Sequence, residues 1–352
     1  MSAPHNCDDC HSHLGKQFFG LMGPKKATPC TSCQKRLCST CAGKHALIPF
    51  SENEEPPPVK KSSIKSYCKE CFQKASILDY TKSYDVVEPS VDGAGNDTNN
   101  NMTLLFAHGG GSSRAMFRAH SRILSNKGYR CILIDLPGHG TLVDKTTLTL
   151  DECVTTVKRI LQTENCNPFQ TIYVGASLGA YIGFHILSQL KTQFAGAILM
   201  DCGQNVGPDC SLKARLGIFF MRKLSGRMTN KRLMEIMMGA VENSKADFHL
   251  VECCYASGMF FEQGVKQCDC LHTVAPADII PELDFPILFF NGSEDYRDSE
   301  QKWLSLCTQE KRSELKVYEG GDHFFCHDSR FVDDFLDRMD KFAKTLVTDV
   351  SK

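Results

Sequence analysis

Eight cysteines in the first 71 residues most tightly constrain what this chain can fold into. They form four Cys-x-x-Cys pairs, Cys7/Cys10, Cys30/Cys33, Cys38/Cys41 and Cys68/Cys71, while the other eleven of the 19 are scattered without regular spacing. Large apolar residues are sparse through residues 1–75, so this stretch calls for a staple rather than a core of its own. The polar N-terminus, Met1 to His13, has no apolar run of the kind that opens a secretory signal, which favours metal ligation over disulfides. Each pair supplies two thiolates from one tight turn, half of a tetrahedral zinc shell. Only four residues separate Cys33 from Cys38, too few for consecutive pairs to close separate sites comfortably. The spacing therefore predicts interleaving: Cys7, Cys10, Cys38 and Cys41 on one structural Zn²⁺, and Cys30, Cys33, Cys68 and Cys71 on a second. His11, His13 and His45 are expected on the surface beside these complete shells.

From Cys7 to Phe72 this stretch resembles the FYVE-type zinc finger, through the compact Cys30-Thr-Ser-Cys33-x4-Cys38-Ser-Thr-Cys41 core and the closing Tyr67-Cys68-Lys-Glu-Cys71-Phe72. The resemblance implies docking to a phosphoinositide membrane or a protein partner. The basic Arg-Arg/Lys-His-His motif of such fingers lacks its histidines here, and the Trp-x-x-Asp usual before the first cysteine is absent. Lys25 and Lys26 remain as the phosphoinositide contacts, with Phe18, Phe19, Leu21 and Met22 as an apolar wedge or a small core.

After residue 75 the pattern changes. Apolar runs of strand length recur at Met102–Ala107, Arg130–Ile134, Thr171–Val174, Ala195–Met200, Phe285–Phe290 and Leu315–Tyr318. Helical periodicity fills the gaps at Arg114–Asn126, Leu150–Thr163, Leu178–Leu190, Ser299–Thr308 and Ser329–Val347. Near-continuous apolar strands alternating with helices predict an α/β fold, a mostly parallel sheet covered on both faces. Two domains follow, 1–75 and 76–352, with the alternation interrupted at about 204–277 by segments rich in Met and Phe. Lys plus Arg (40) nearly balances Asp plus Glu (41), which gives no reason to expect a nucleic-acid partner. No apolar run approaches the roughly 18 residues of a membrane span.

Gly175-Ala176-Ser177-Leu178-Gly179 follows one of the strands and opens a helix, the setting a nucleophile elbow requires. The serine hydroxyl would stand at a helix N-terminus, where the dipole favours a developing oxyanion. Upstream, His108-Gly109-Gly110-Gly111 ends a strand in a loop able to present backbone N–H groups, and Gly110 with Leu178 is expected to form the oxyanion hole. Asp295 and His323 each follow a later strand, in the chain order serine, acid, base. Ser177, Asp295 and His323 are thus the expected catalytic residues, Asp201 being the alternative acid. His108, Asp135 and His139 are read as structural.

Taken in order, His-Gly-Gly-Gly, Asp135-Leu-Pro-Gly-His-Gly140, Gly-Ala-Ser-Leu-Gly, Gly292-Ser-Glu-Asp295 and Gly321-Asp-His323 resemble the α/β-hydrolase fold over roughly residues 80–350. The resemblance implies that 204–277 is a helical cap over the site and that the stretch before Met102 is a trimmed sheet edge. The expected activity is that of an esterase- or lipase-like serine hydrolase cleaving a small-molecule or lipid ester, with two structural Zn²⁺ and no catalytic cofactor. The alternative is a non-catalytic adaptor whose finger and hydrolase-like domain bind partners. Either would be cytoplasmic, and peripheral on endosomal membranes if the finger binds lipid.

Overall fold

A computed structural model describes residues 7–11, 27–49, 63–90, 102–208, 210–243, 246–295 and 298–350. Lys25, Lys26 and the apolar residues between Phe18 and Met22 lie outside them.

The N-terminal module consists of two-residue strands and short helices: β1 (Thr28–Pro29), β2 (Arg36–Leu37), α1 (Ser39–Lys44), β3 (Ala46–Leu47), β4 (Lys65–Ser66) and α2 (Lys69–Ala75). β1 pairs with β2 and β3 with β4, both antiparallel. Cys38 and Cys68 each hold the N-cap position of a helix, so the last two cysteine pairs span turn-to-helix junctions.

The rest is organised by one seven-stranded sheet. Its strands are β5 (Tyr84–Val87), β6 (Thr103–Ala107), β7 (Arg130–Ile134), β8 (Thr171–Ala176), β9 (Gly196–Met200), β10 (Ile287–Gly292) and β11 (Glu314–Tyr318), in spatial order β11-β10-β9-β8-β6-β7-β5. All neighbours are parallel except β5, which runs antiparallel to β7 at the edge. All six expected strands form. β10 starts two residues later than its apolar run, after Pro286, which has no N–H to give to a ladder. Among the described residues β5 is the edge before Met102, a single short strand.

Alternation along the strands divides the core in two. Leu105, Ala107 and Tyr173 face α4 (Leu150–Thr163) and α5 (Leu178–Gln189), whereas Leu104, Phe106, Ile172 and Val174 face α3 (Arg118–Asn126) and α12 (Val332–Val350). The expected helix from Arg114 begins instead as a 3-10 turn, Arg114–Phe117, before α3. Its Arg114 is fully buried, because its guanidinium donates to Asp135 at 2.6 Å and Asp85 at 2.8 Å and to the carbonyls of Asp79 and Lys82. Such a buried cation is stable only when its donors are met.

Between β9 and β10 come α6 (Leu212–Ser225), α7 (Asn230–Asn243), α8 (Phe248–Ser257), α9 (Gly264–Thr273) and α10 (Pro276–Ile279), which form the cap; α11 (Asp298–Leu304) follows β10. The cysteine-rich module packs directly on this cap. Ala46, Ile48 and Ile64 share an apolar cluster with Met234, Met238, Val251, Tyr255 and Met259. Phe72 meets Phe260 edge-on at 6.2 Å between ring centroids. The cap supplies most of that cluster, while Leu37, Leu47, Tyr67 and Phe72 gather with the module's own cysteines in a second one.

Candidate active site and cysteine clusters

The two interleaved cysteine sets predicted from spacing are the two that come together. The sulfurs of Cys7, Cys10, Cys38 and Cys41 lie within 4.8 Å of one another, as do those of Cys30, Cys33, Cys68 and Cys71. A tetrahedral Zn²⁺ with bonds of about 2.3 Å separates its sulfurs by roughly 3.8 Å. Cys10 and Cys38 are 3.7 Å apart, and so are Cys33 and Cys68. The N–H groups of Cys38 and Cys41 donate to the sulfurs of Cys7 and Cys38, bonds that suit thiolates. Both clusters therefore fit a structural zinc ion, and these eight residues would hold the pair. His45 departs from its expected surface position. It is buried against Phe72, 3.3 Å from Asp9, and desolvation lowers its pKa.

Near the middle of the chain, Ser177 sits between β8 and α5 with φ 50° and ψ −110°, a conformation costing about 1–3 kcal/mol for a residue with a side chain. The flanking glycines explain how it is held. A Cβ on Gly175 would lie 2.7 Å from Ala180 Cα, and one on Gly179 would lie 2.4 Å from the Ala107 carbonyl oxygen. The elbow can turn back onto α5 at Gly175 and pack against β6 at Gly179 only without those side chains.

His323, in the loop after β11, places Nε2 3.0 Å from Ser177 Oγ and Nδ1 2.7 Å from Asp295 Oδ2. Asp295 follows β10, and its N–H bonds the Gly292 carbonyl in a tight turn. Asp322, beside the histidine, accepts from Phe324 N–H as a loop carboxylate.

The alternative acid, Asp201, ends β9 close to both Asp295 and His323. It is not the partner of the imidazole. It is buried, one of its oxygens has no hydrogen bond among the described residues, and burial beside Asp295 pushes its pKa well up. Glu300 of α11 is buried nearby, accepting from Cys202 N–H at 3.1 Å and from the Asn291 side chain, with its pKa raised to about 8, mainly by desolvation.

His108 and His139 are fully enclosed, with pKa values lowered to about 4 and about 3 by desolvation. His108 Nε2 accepts from Leu136 N–H at 3.1 Å, so it braces the loop as a neutral ring. Asp135 accepts from the N–H groups of Arg114 and Thr141. All three residues take structural positions.

The N–H groups of Gly110 and Leu178 donate to no atom among the described residues, whereas Gly109 N–H is turned to Met116 Sδ at 3.3 Å. Two cavities meet at Ser177. One, about 280 Å³, is walled by Tyr181, Val206, Ile218, Met221 and Leu271. The other, about 190 Å³, is walled by Met116, Met237, Val241, Val251 and Met259.

A family model described as the alpha/beta hydrolase family matches residues 104–338, more than half of the chain. The chain belongs to the alpha/beta hydrolase family. Solved structures share its fold. A thermophilic esterase from Thermogutta terrifontis superposes with a TM-score of 0.57 at 16% identity, over 75% of this chain and 93% of that one. An esterase from Exiguobacterium antarcticum gives 0.55 at 15%, over 76% and 95%. A bromoperoxidase from Bacillus anthracis gives 0.56 at 14%, over 74% and 94%. At such identities the likeness is one of fold. No curated protein sequence matches the chain.

One residue of this hydrolase's site carries no motif. Gln267, on α9, lines both cavities, and its amide nitrogen sits where a Cβ on Gly110 would be, 2.4 Å away. Its Oε1 is buried without a hydrogen-bond partner among the described residues. Only the folding of the cap back onto the glycine loop brings it there, and its sequence neighbourhood gives no signal.

Proposed function

We propose that the protein is a serine hydrolase cleaving a carboxylic ester with a lipid-like acyl chain. The observation that carries the reading is the single imidazole, His323, within hydrogen-bond reach of both Ser177 Oγ and Asp295. His323 Nε2 takes the Ser177 proton as Oγ attacks the ester carbonyl, and Asp295 fixes the Nδ1–H tautomer and stabilises the imidazolium. Leu178 N–H, at the positive end of α5, and Gly110 N–H receive the oxyanion. The tetrahedral intermediate collapses, His323 returns the proton to the leaving alcohol, and the acyl group stays on Ser177. Water, deprotonated by the same imidazole, then releases the acid.

The Met- and Val-walled cavity suits the acyl chain, because unbranched thioethers adapt to a flexible hydrocarbon. Both cavities are small against the roughly 300–1,000 Å³ of common ligand clefts, which favours short to medium chains. Turnover of p-nitrophenyl esters from acetate to palmitate tests this. The expected profile peaks below the longest chains and vanishes in Ser177→Ala. No turnover by the wild type across the series would contradict the ester reading.

We further propose two structural Zn²⁺ in a FYVE-like module. Its packing on the cap supports a bracing role, while docking to a phosphoinositide or protein partner through Lys25 and Lys26 rests on sequence alone.

A further inference from the structure

The cap carries a helix whose outer face is covered by none of the described residues. Leu212, Leu216, Phe219, Phe220 and Leu224 of α6 are all between 51% and 74% exposed, although the helix is well inside the chain and α9 packs on its other side. At 3.6 residues per turn these five fall on one arc of about 140°. The opposite side of the same helix holds Ile218 and Met221, which wall the larger cavity beside Ser177. The width of one helix therefore separates the exposed face from the cavity beside Ser177.

The charges on this helix say what kind of surface it meets. α6 has Lys213, Arg215, Arg222 and Lys223 and no acidic residue, in a chain whose overall net charge is −1. Arg222 is paired with Asp269 of α9 at 3.3 Å, and Arg215 donates to the Pro208 carbonyl. Lys213 and Lys223 make no ion pair among the described residues and lie within the apolar arc itself. Lys223 rests its ammonium over the Phe219 ring, 4.5 Å from the centroid, so that the cation and the apolar side chain share one face. The centre of a protein–protein interface is depleted in lysine. A bilayer accepts both groups at once, since apolar side chains enter between acyl chains while lysines reach back to anionic headgroups.

We propose that the outer face of α6 docks the cap on an anionic phospholipid surface, independently of the cysteine-rich module and of the chemistry at Ser177. Binding of the full-length protein to vesicles tests it, with Ser177→Ala in every sample so that no lipid is consumed. Vesicles would be phosphatidylcholine alone or with about 30 mol % phosphatidylserine. The protein should sediment with the anionic vesicles. Leu216→Ser/Phe219→Ser/Phe220→Ser and Lys213→Glu/Lys223→Glu should each weaken binding about tenfold or more, without loss of melting temperature because the residues are exposed. Lys25→Glu/Lys26→Glu is the comparison that reports docking through the cysteine-rich module instead of α6. With Phe220→Trp, emission should shift to the blue on anionic vesicles, against the constant signal of the buried native Trp303. Equal binding by the α6 variants, absent binding by the parent, or loss confined to the Lys25/Lys26 variant would overturn the proposal. So would an α6 variant that changes only the oligomeric state without lipid, which would assign the face to a second copy of the chain.

Discussion

The N–H of Ile48 donates to the carbonyl of Tyr255 at 3.1 Å, joining the cysteine-rich module to a cap helix that walls the smaller cavity. Around this bond Asn230 donates to the Lys44 carbonyl, Ser76 to that of Ser257, and Ile77 N–H to that of Ala256. Removing zinc, by chelation or through Cys38→Ser, should therefore destabilise the hydrolase as well as the module. We expect one cooperative unfolding transition, lowered by about 10 °C. Differential scanning calorimetry checks this, and an unchanged main transition beside a separate early one would contradict it.

Arg114→Met should be among the most damaging substitutions far from the reaction. It leaves Asp135 buried with only Thr141 and backbone partners, at a cost of about 3–5 kcal/mol. Urea titration measures the loss. Asp135→Asn in the same background should recover part of it, because it removes the stranded charge.

Gly179→Ala places a methyl 2.4 Å from a backbone oxygen of β6, which cannot rotate away. Overpacking of this kind costs about 1–3 kcal/mol, and displacing Ser177 by about an ångström costs about a hundredfold in rate. The predicted signature is a kcat loss much larger than the shift in Tm explains, measured on the best p-nitrophenyl ester.

Glu300 gives a pH dependence with a definite sign. Its carboxyl is raised from 4.5 to about 8, so its uncharged form is the one the fold favours. That contribution is fully present below the unfolded value and is lost as pH rises through the folded one. Glu300→Gln should thus gain stability relative to wild type between pH 5 and pH 8, by an amount on the order of a few kcal/mol. Denaturant midpoints of both proteins at the two pH values read the difference directly.

Much of this was legible in the sequence because it depends on local chain geometry. The interleaved cysteine sets followed from a four-residue gap, and Ser177, Asp295 and His323 from their positions after strands. Asp295 and Asp201 both follow strands, and only the hydrogen bond to His323 separated them. What stayed hidden depends on long-range packing. Phe219 and Phe220 lie in the Met- and Phe-rich stretch but are exposed, and helical periodicity does not say which side a cap helix turns outward. His45 read as a surface residue because the Phe72 and Asp9 that enclose it are distant in sequence. Gln267 reaches the site only through the fold of the cap.

The proposed chemistry rests on Ser177 as a nucleophile activated by His323. Intact mass and peptide mapping after treatment with a fluorophosphonate probe read this out. We expect one adduct per chain, on Ser177, absent in Ser177→Ala and slowed about a thousandfold or more in His323→Ala. A wild-type protein that takes no label, or a Ser177→Ala protein that labels equally well, would contradict it.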